Sequence, residues 1–219
     1  MVKKKSMSVQ EVRIQLGSAE LGAFLHIPDE PRGIVLFAHG SGSGRHSPRN
    51  QQVARFLQDE NFATLLMDLL SMAEEKIDQE SRELRFNIPF LAERLQGATD
   101  WVNKHPELRS LPIGYFGAST GAAAALVAAA DRPKDVKAVV SRGGRPDLAG
   151  SALPKVQAAT LLIVGGNDFG VIELNQQAFS LLHCEKKLEI VPNATHLFEE
   201  PGTLEEVGRL AAHWFDSHL

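Results

Sequence analysis

The sequence predicts an open, doubly wound and mostly parallel α/β sheet with an antiparallel hairpin at its N-terminal edge and no inserted cap domain. Three observations carry this. Six short runs, Ile34–Ala38, Ala63–Met67, 113–116, 136–140, 160–164 and 188–191, are almost continuously apolar, as strands covered on both faces are. Stretches with helical spacing separate them, for example Ile88, Leu91, Leu95, Ala98 and Val102. The start differs: Val12, Ile14 and Leu16, then Leu21, Ala23, Leu25 and Ile27, alternate with other residues on either side of a turn expected over residues 17–22.

The elements follow in order. Ser47-Pro48 sets a good N-cap before a residue favoured at the first helical position. Residues 74–85 are dense in charge and read as a solvated loop or short surface helix, with a flap near a pocket as the functional alternative. Residues 111–116 read as a strand with Pro112 near its start, and residues 122–130 as a small-residue helix. Cys184 is expected at the end of a helix that includes Leu181, Leu182 and His183. Thr203 and Glu206 form a capping-box pattern before Leu204, Val207, Ala211 and Trp214, which recur at helical spacing. Trp101 and Trp214 fit helix core faces.

A chain of 219 residues fits one domain, expected over residues 11–219 after a flexible extension over residues 1–10. With 23 Lys and Arg against 27 Asp and Glu, the net charge is −4, so no basic field points to nucleic acid. Lys3-Lys4-Lys5 is followed by polar residues, unlike a signal peptide, and no run approaches the roughly 18 apolar residues of a membrane span. Neither a nucleic-acid partner nor a membrane partner is therefore expected. A single cysteine, Cys184, allows no intrachain disulfide and no cysteine-based metal site, which suits a reducing compartment, most simply the cytoplasm.

One motif carries chemistry. Gly117-Ala118-Ser119-Thr120-Gly121 fits G-x-S-x-G between an expected strand and an expected helix. Such a turn lifts the Ser119 hydroxyl clear of the sheet, requires small residues two positions away, and aims the Thr120 amide at the reacting centre. A serine needs a base, and the base needs a carboxylate to orient it. Asp168 follows the fifth apolar run in Gly165-Gly166-Asn167-Asp168-Phe169-Gly170-Val171, and His196 follows the sixth in Ala194-Thr195-His196-Leu197-Phe198. Three candidates thus leave the carboxyl ends of strands in the order Ser, acid, His. Asp147 is the alternative acid, while Asp68 precedes the serine and reads as structural. Among the other histidines, His26 and His105 read as surface or edge residues, and His183, His213 and His218 as helix or tail.

The loop His39-Gly40-Ser41-Gly42-Ser43-Gly44-Arg45-His46 fits neither the Walker A pattern nor G-x-G-x-x-G. It suits an oxyanion hole, with the Ser41 amide paired to that of Thr120. Arg45, His46 and Arg142 sit in strand-end loops as possible substrate contacts, and His39 also flanks this loop.

With these motifs in hand, the chain resembles an α/β-hydrolase, nearest the dienelactone-hydrolase-like branch. The resemblance rests on His39-Gly40-Ser41-Gly42, the elbow around Ser119, the G-x-x-D-x-x-V form around Asp168 and the His-x-Phe ending at His196, and spans the chain from about residue 12. It implies the triad Ser119, Asp168 and His196 and no cofactor. Dienelactone hydrolases proper use a cysteine nucleophile, whereas this elbow carries Ser119, so a carboxylesterase acting on a small-molecule ester is the expectation. Thioester or lactone hydrolysis and non-catalytic ligand capture are the alternatives. Only 18 residues, 142–159, separate the fourth and fifth parallel runs, which leaves no room for a cap and predicts a shallow site for short acyl chains.

Overall fold

The computed structural model describes residues 9–219, so residues 1–8 of the expected extension lie outside it. Eight strands are present: β1 (Gln10–Leu16), β2 (Ala19–His26), β3 (Ile34–Ala38), β4 (Ala63–Met67), β5 (Ile113–Ala118), β6 (Val136–Arg142), β7 (Ala159–Gly165) and β8 (Lys186–Val191). They form one sheet in the order β1-β2-β4-β3-β5-β6-β7-β8. β1 and β2 pair antiparallel, β2 joins β4 antiparallel, and every later pairing is parallel. This is the predicted fold class.

The six apolar runs all become strands. β3, β4, β5 and β7 are buried along their whole length, since helices cover both faces. β8 differs: it is an edge strand, starts two residues earlier at Lys186, and leaves Ile190 exposed. The hairpin turn is tighter than expected. Leu16 faces Ala19 directly, so the turn is Gly17-Ser18 alone, with Gly17 at φ 59°. Gln10, assigned above to the extension, already belongs to β1.

On one face lie α1 (Pro48–Asp59) and α6 (Thr203–His218), whose Val53, Leu57, Val207 and Phe215 pack with Val35, Phe37, Phe116 and Val140. On the other lie α3 (Ile88–Lys104), α4 (Thr120–Asp131), a 3-10 segment (Pro146–Lys155) and α5 (Phe169–Leu181). The segment between β6 and β7 is only this 3-10 stretch and its loops, so no cap domain is inserted. Ser47 caps α1 by accepting from the Asn50 amide. The capping box expected at α6 does not form: the N-cap is Gly202, and Thr203 instead donates its hydroxyl to the Glu200 carbonyl. Cys184 lies beyond α5, which ends at Leu181, and burial pushes its thiol pKa up. No described helix is long and apolar enough to cross a membrane.

The charged stretch is α2 (Met72–Ser81) followed by a short 3-10 turn (Leu84–Phe86). Its anchors are specific. Ser71 and Glu74 form a capping box, Glu74 pairs with Arg94 of α3, and the covered Asp78 accepts from the Leu84 amide and from Arg85. Burial alone would raise the Asp78 carboxyl, but the Arg85 side chain and the Arg85 and Leu84 amides outweigh it and hold the carboxyl below its ordinary value. A depressed carboxylate contributes stability above its unfolded pKa and loses it as pH falls through the folded value. Asp78→Asn is therefore expected to destabilise the fold by about 1–3 kcal/mol at pH 7 and to remove part of the loss that the wild type shows below about pH 4. Urea unfolding at several pH values checks this; equal wild-type and variant midpoints at pH 7 would contradict it.

Candidate active site

The turn between β5 and α4 has the geometry that its sequence requires. Ser119 sits at φ 50°, ψ −122°, a conformation that L-residues rarely adopt. Its amide donates to the Arg142 carbonyl at 3.3 Å, and its carbonyl accepts from the Arg145 amide at 3.1 Å. Glycine is needed on both sides: a β-carbon at Gly117 would overlap the Ala122 backbone, and one at Gly121 would overlap the carbonyl oxygens of Ala38 and His39. The glycine loop after β3 is pressed against the serine, since a β-carbon on Gly40 would stand 3.0 Å from Ser119 Cβ.

Asp168 leaves β7 as the N-cap of α5, and His196 lies in the loop after β8. Asp168 Oδ2 is 2.7 Å from His196 Nδ1. The two loops are tied together by backbone as well. Gly166 donates to the Val191 carbonyl, Asn167 donates its amide to Ala194 and its side chain to Asn193, and Gly165 has room for no side chain against Ala194. Thr195 donates its amide and hydroxyl to Glu200, which lowers the Glu200 carboxyl pKa and pins the histidine loop. His196 in turn approaches the end of β6, the strand beside β5: a β-carbon at Gly143, next to Arg142, would meet the His196 carbonyl oxygen at 3.0 Å and its ring Cε1 at 3.7 Å. Asp168 and His196 are thus in contact after the neighbouring strands β7 and β8, and Ser119 follows β5 at the same edge of the sheet, with β6 between. The His196 side chain is 38% exposed, so the site is open to solvent.

The other candidates are placed differently. Asp147 forms a two-pronged pair with Arg145, at 2.9 and 2.8 Å, and no bond links it to His196. His39 is buried: its Nε2 accepts from the Leu69 amide and its Nδ1–H donates to the Gly40 carbonyl, while burial lowers its pKa. It shapes the loop as a neutral ring. Arg45 pairs with Asp68 and Glu11 and covers the Phe24 ring, and His46 packs edge-on against the same ring. Both anchor the loop to β2 through the Phe24 ring. His26, expected as a surface or edge residue, is buried at the end of β2. Arg142 is buried beside α1.

The Ser41 amide donates at 2.9 Å to the hydroxyl oxygen of Thr120. This ties the glycine loop to the elbow. A groove of about 330 Å³ runs between the loop and α2, lined by His39, Ser43, Asp68, Leu70, Met72 and Glu75 among others. Sequence reasoning did not single out three exposed apolar side chains: Phe169, next to Asp168 in the chain and 71% exposed, Leu197, next to His196 and 39% exposed, and Leu148 in the 3-10 segment. The available signal was position, because two of these follow the acid and the base directly. Among the described residues no group of three or more His, Cys, Asp or Glu is arranged to hold a metal ion.

A family model described as serine aminopeptidase, S33 (Hydrolase_4), matches residues 29–144, which include the glycine loop and the elbow. The chain belongs to this serine hydrolase family, on the α/β-hydrolase fold. A dienelactone hydrolase structure from Anabaena variabilis is 56% identical, covers 98% of this chain and 100% of that chain, and superposes with a TM-score of 0.96. Two strains of Mycobacterium tuberculosis carry a protein with the provisional name phosphoribosyl transferase that is 56% identical over 210 residues, 96% of this chain. The chain spans about half, 46%, of the length of those curated relatives. Est1E from Butyrivibrio proteoclasticus shares the fold alone, at 16% identity and a TM-score of 0.79, covering 96% of this chain and 98% of that one.

Proposed function

We propose that the protein is a serine carboxylic-ester hydrolase for small esters. The observation that carries this is the Asp168–His196 contact of 2.7 Å, which together with a serine on a strained strand-to-helix turn supports a triad. Ser119 attacks the ester carbonyl, and the imidazole Nε2 of His196 takes its proton. Asp168 keeps the tautomer that makes this possible and stabilises the imidazolium. The oxyanion is bound by the Thr120 and Ser41 amides, the Ser41 amide exchanging the Thr120 hydroxyl for the oxyanion. His196 then protonates the leaving alcohol, and water activated by His196 releases the acyl group.

One reading stands beside this. The 56% identical dienelactone hydrolase of Anabaena favours a lactone, whose hydrolysis would use the same steps with the leaving alcohol still attached. The transferase name of the longer mycobacterial relatives finds no support in the glycine loop, which fits neither phosphate-binding pattern. The short 3-10 segment in place of a cap and the solvent-exposed His196 side chain suit short acyl chains. Across p-nitrophenyl esters, thioesters and lactones, the expected result is highest kcat/KM on short oxygen esters or lactones. A higher kcat/KM on long-chain than on short-chain esters would contradict the size prediction, and no turnover on the whole panel would contradict the reaction class.

A further inference from the structure

The helix that carries Asp168 buries a polar residue where an apolar one would pack. Of the 13 residues of α5 only Asn175 and Ala178 are buried, and Asn175 has no exposed surface. Burying a side-chain amide costs free energy that only its hydrogen bonds offset. Asn175 makes two, both through Nδ2. One runs 2.8 Å to the Val171 carbonyl of its own helix, and the other crosses 3.0 Å to the Gly144 carbonyl. Both partners are acceptors, so chemistry fixes which end of the amide faces them. Oδ1 has no partner among the described residues. An apolar side chain would fill this place without an unmet acceptor, so stability does not account for the choice of asparagine.

Gly144 belongs to Arg142-Gly143-Gly144-Arg145, the turn that leaves β6. This turn meets each part of the triad. The Arg142 carbonyl accepts the Ser119 amide at 3.3 Å, and the Arg145 amide donates to the Ser119 carbonyl at 3.1 Å, so the strained serine is held on both sides. Gly143 lies against His196, and its amide donates at 2.8 Å to the Ile163 carbonyl of β7, the strand that leads to Asp168. Gly144 is packed so closely that a β-carbon there would overlap Ser141 Oγ and Ala122 Cβ. Two consecutive glycines impose few conformational limits of their own. The shape of the turn therefore comes from the bonds made to it, and Asn175 supplies one of them from the helix that Asp168 caps.

We propose that Asn175 is a positioning residue of the active site: through the Gly144 carbonyl it fixes the turn over residues 142–145, and the turn sets Ser119 relative to His196. This rests on Ser119 being the nucleophile. Asn175 takes no part in the bonds made and broken; it controls the geometry in which the Ser119 proton passes to the imidazole. A displacement of about 1 Å at the reacting atoms is worth on the order of a hundredfold in rate. Loss of the bond to Gly144 lowers the reactivity of Ser119 and leaves substrate binding nearly intact.

Two variants separate this bond from the fold. Asn175→Ala removes both bonds. Asn175→Ser keeps a hydroxyl that can bond back to the Val171 carbonyl, four residues earlier, but is too short to reach Gly144. Both are compared with Trp214→Phe, which removes a buried bond of the same kind, from Nε1–H to the Ala159 carbonyl at 3.1 Å, on the opposite face of the sheet. The rate of fluorophosphonate labelling, kcat and KM for p-nitrophenyl butyrate, and the urea midpoint are measured on the full chain. In both Asn175 variants labelling and kcat are expected to fall about tenfold to a hundredfold, with KM within about twofold of the wild type. Trp214→Phe is expected to lower the midpoint yet label within about twofold of the wild type. A folded Asn175→Ser protein that labels at the wild-type rate, a loss confined to KM, or an equal loss in Trp214→Phe would overturn the proposal. So would failure of both Asn175 variants to fold, which would assign the residue to the fold alone. A folded wild type that neither labels nor turns over ester defeats the hydrolase reading instead, and is told apart because the wild type itself shows it.

Discussion

Replacing Ser119 by alanine is expected to lower ester turnover at least about ten-thousand-fold, with kcat falling and KM nearly unchanged. The change deletes one oxygen. Alanine at φ 50° bears the same backbone strain as serine, so the turn, its bond to Arg142 and its bond to Arg145 all persist. What is lost is the atom that attacks. The residue of activity comes from amides that still bind the oxyanion and from substrate positioning. Circular dichroism and a urea midpoint matching the wild type establish that the variant is folded. Wild-type turnover in a folded Ser119→Ala protein would rule out the assignment of the nucleophile.

Gly121→Ala is expected to have the largest effect on the fold, at least about 2–3 kcal/mol, with loss of turnover in whatever remains folded. The added carbon would overlap two backbone carbonyl oxygens, Ala38 and His39, which belong to β3 and the glycine loop and have no side-chain freedom to yield. Relief requires either α4 or the glycine loop to shift. Each shift separates Ser41 from Thr120 and misplaces the oxyanion donors beside Ser119. Gly170→Ala is the matched comparison. It lies in α5 two residues from Asp168, its β-carbon would meet nothing within 4 Å, and replacing a helical glycine with alanine is expected to leave stability equal or slightly raised. Urea midpoints of the two variants, measured side by side, check the difference; equal midpoints would contradict it.

The central strands were legible because burial on both faces leaves a continuous apolar run, and Ile34–Ala38 and Ala63–Met67 match residue for residue. Legibility faded where one face meets water. β8 begins with Lys186 and Lys187, and its charged start hid two of its residues. At α6, Thr203 and Glu206 have the spacing of a capping box, but the positive φ of Gly202 turns the chain so that glycine takes the cap and Thr203 bonds backwards to Glu200. The sheet order was not readable, because nothing local says that β3 lies between β4 and β5.

The same division holds at the site. Ser119, Asp168 and His196 stood out because each follows an apolar run, and the fold gathers strand ends on one edge. The contacts that decide the remaining roles join residues far apart in the chain. Arg45 is taken by Asp68 and Glu11, Ser41 by Thr120, and Arg142 faces Asn50. Each follows from which strands are neighbours, so composition and spacing are silent about it. Arg45 and Arg142 look alike in sequence, as arginines in strand-end loops. The structure separates them by partners: two carboxylates for the first, none among the described residues for the second.

The central claim is that Ser119 is activated by the Asp168–His196 pair. Labelling with a fluorophosphonate probe, followed by peptide mapping, tests it most directly, because a serine reacts at a useful rate only when a base draws off its proton. The account predicts one adduct per chain, located on Ser119, absent in Ser119→Ala and strongly slowed in His196→Ala. No adduct on the folded wild type, or an adduct on a different residue, would contradict it.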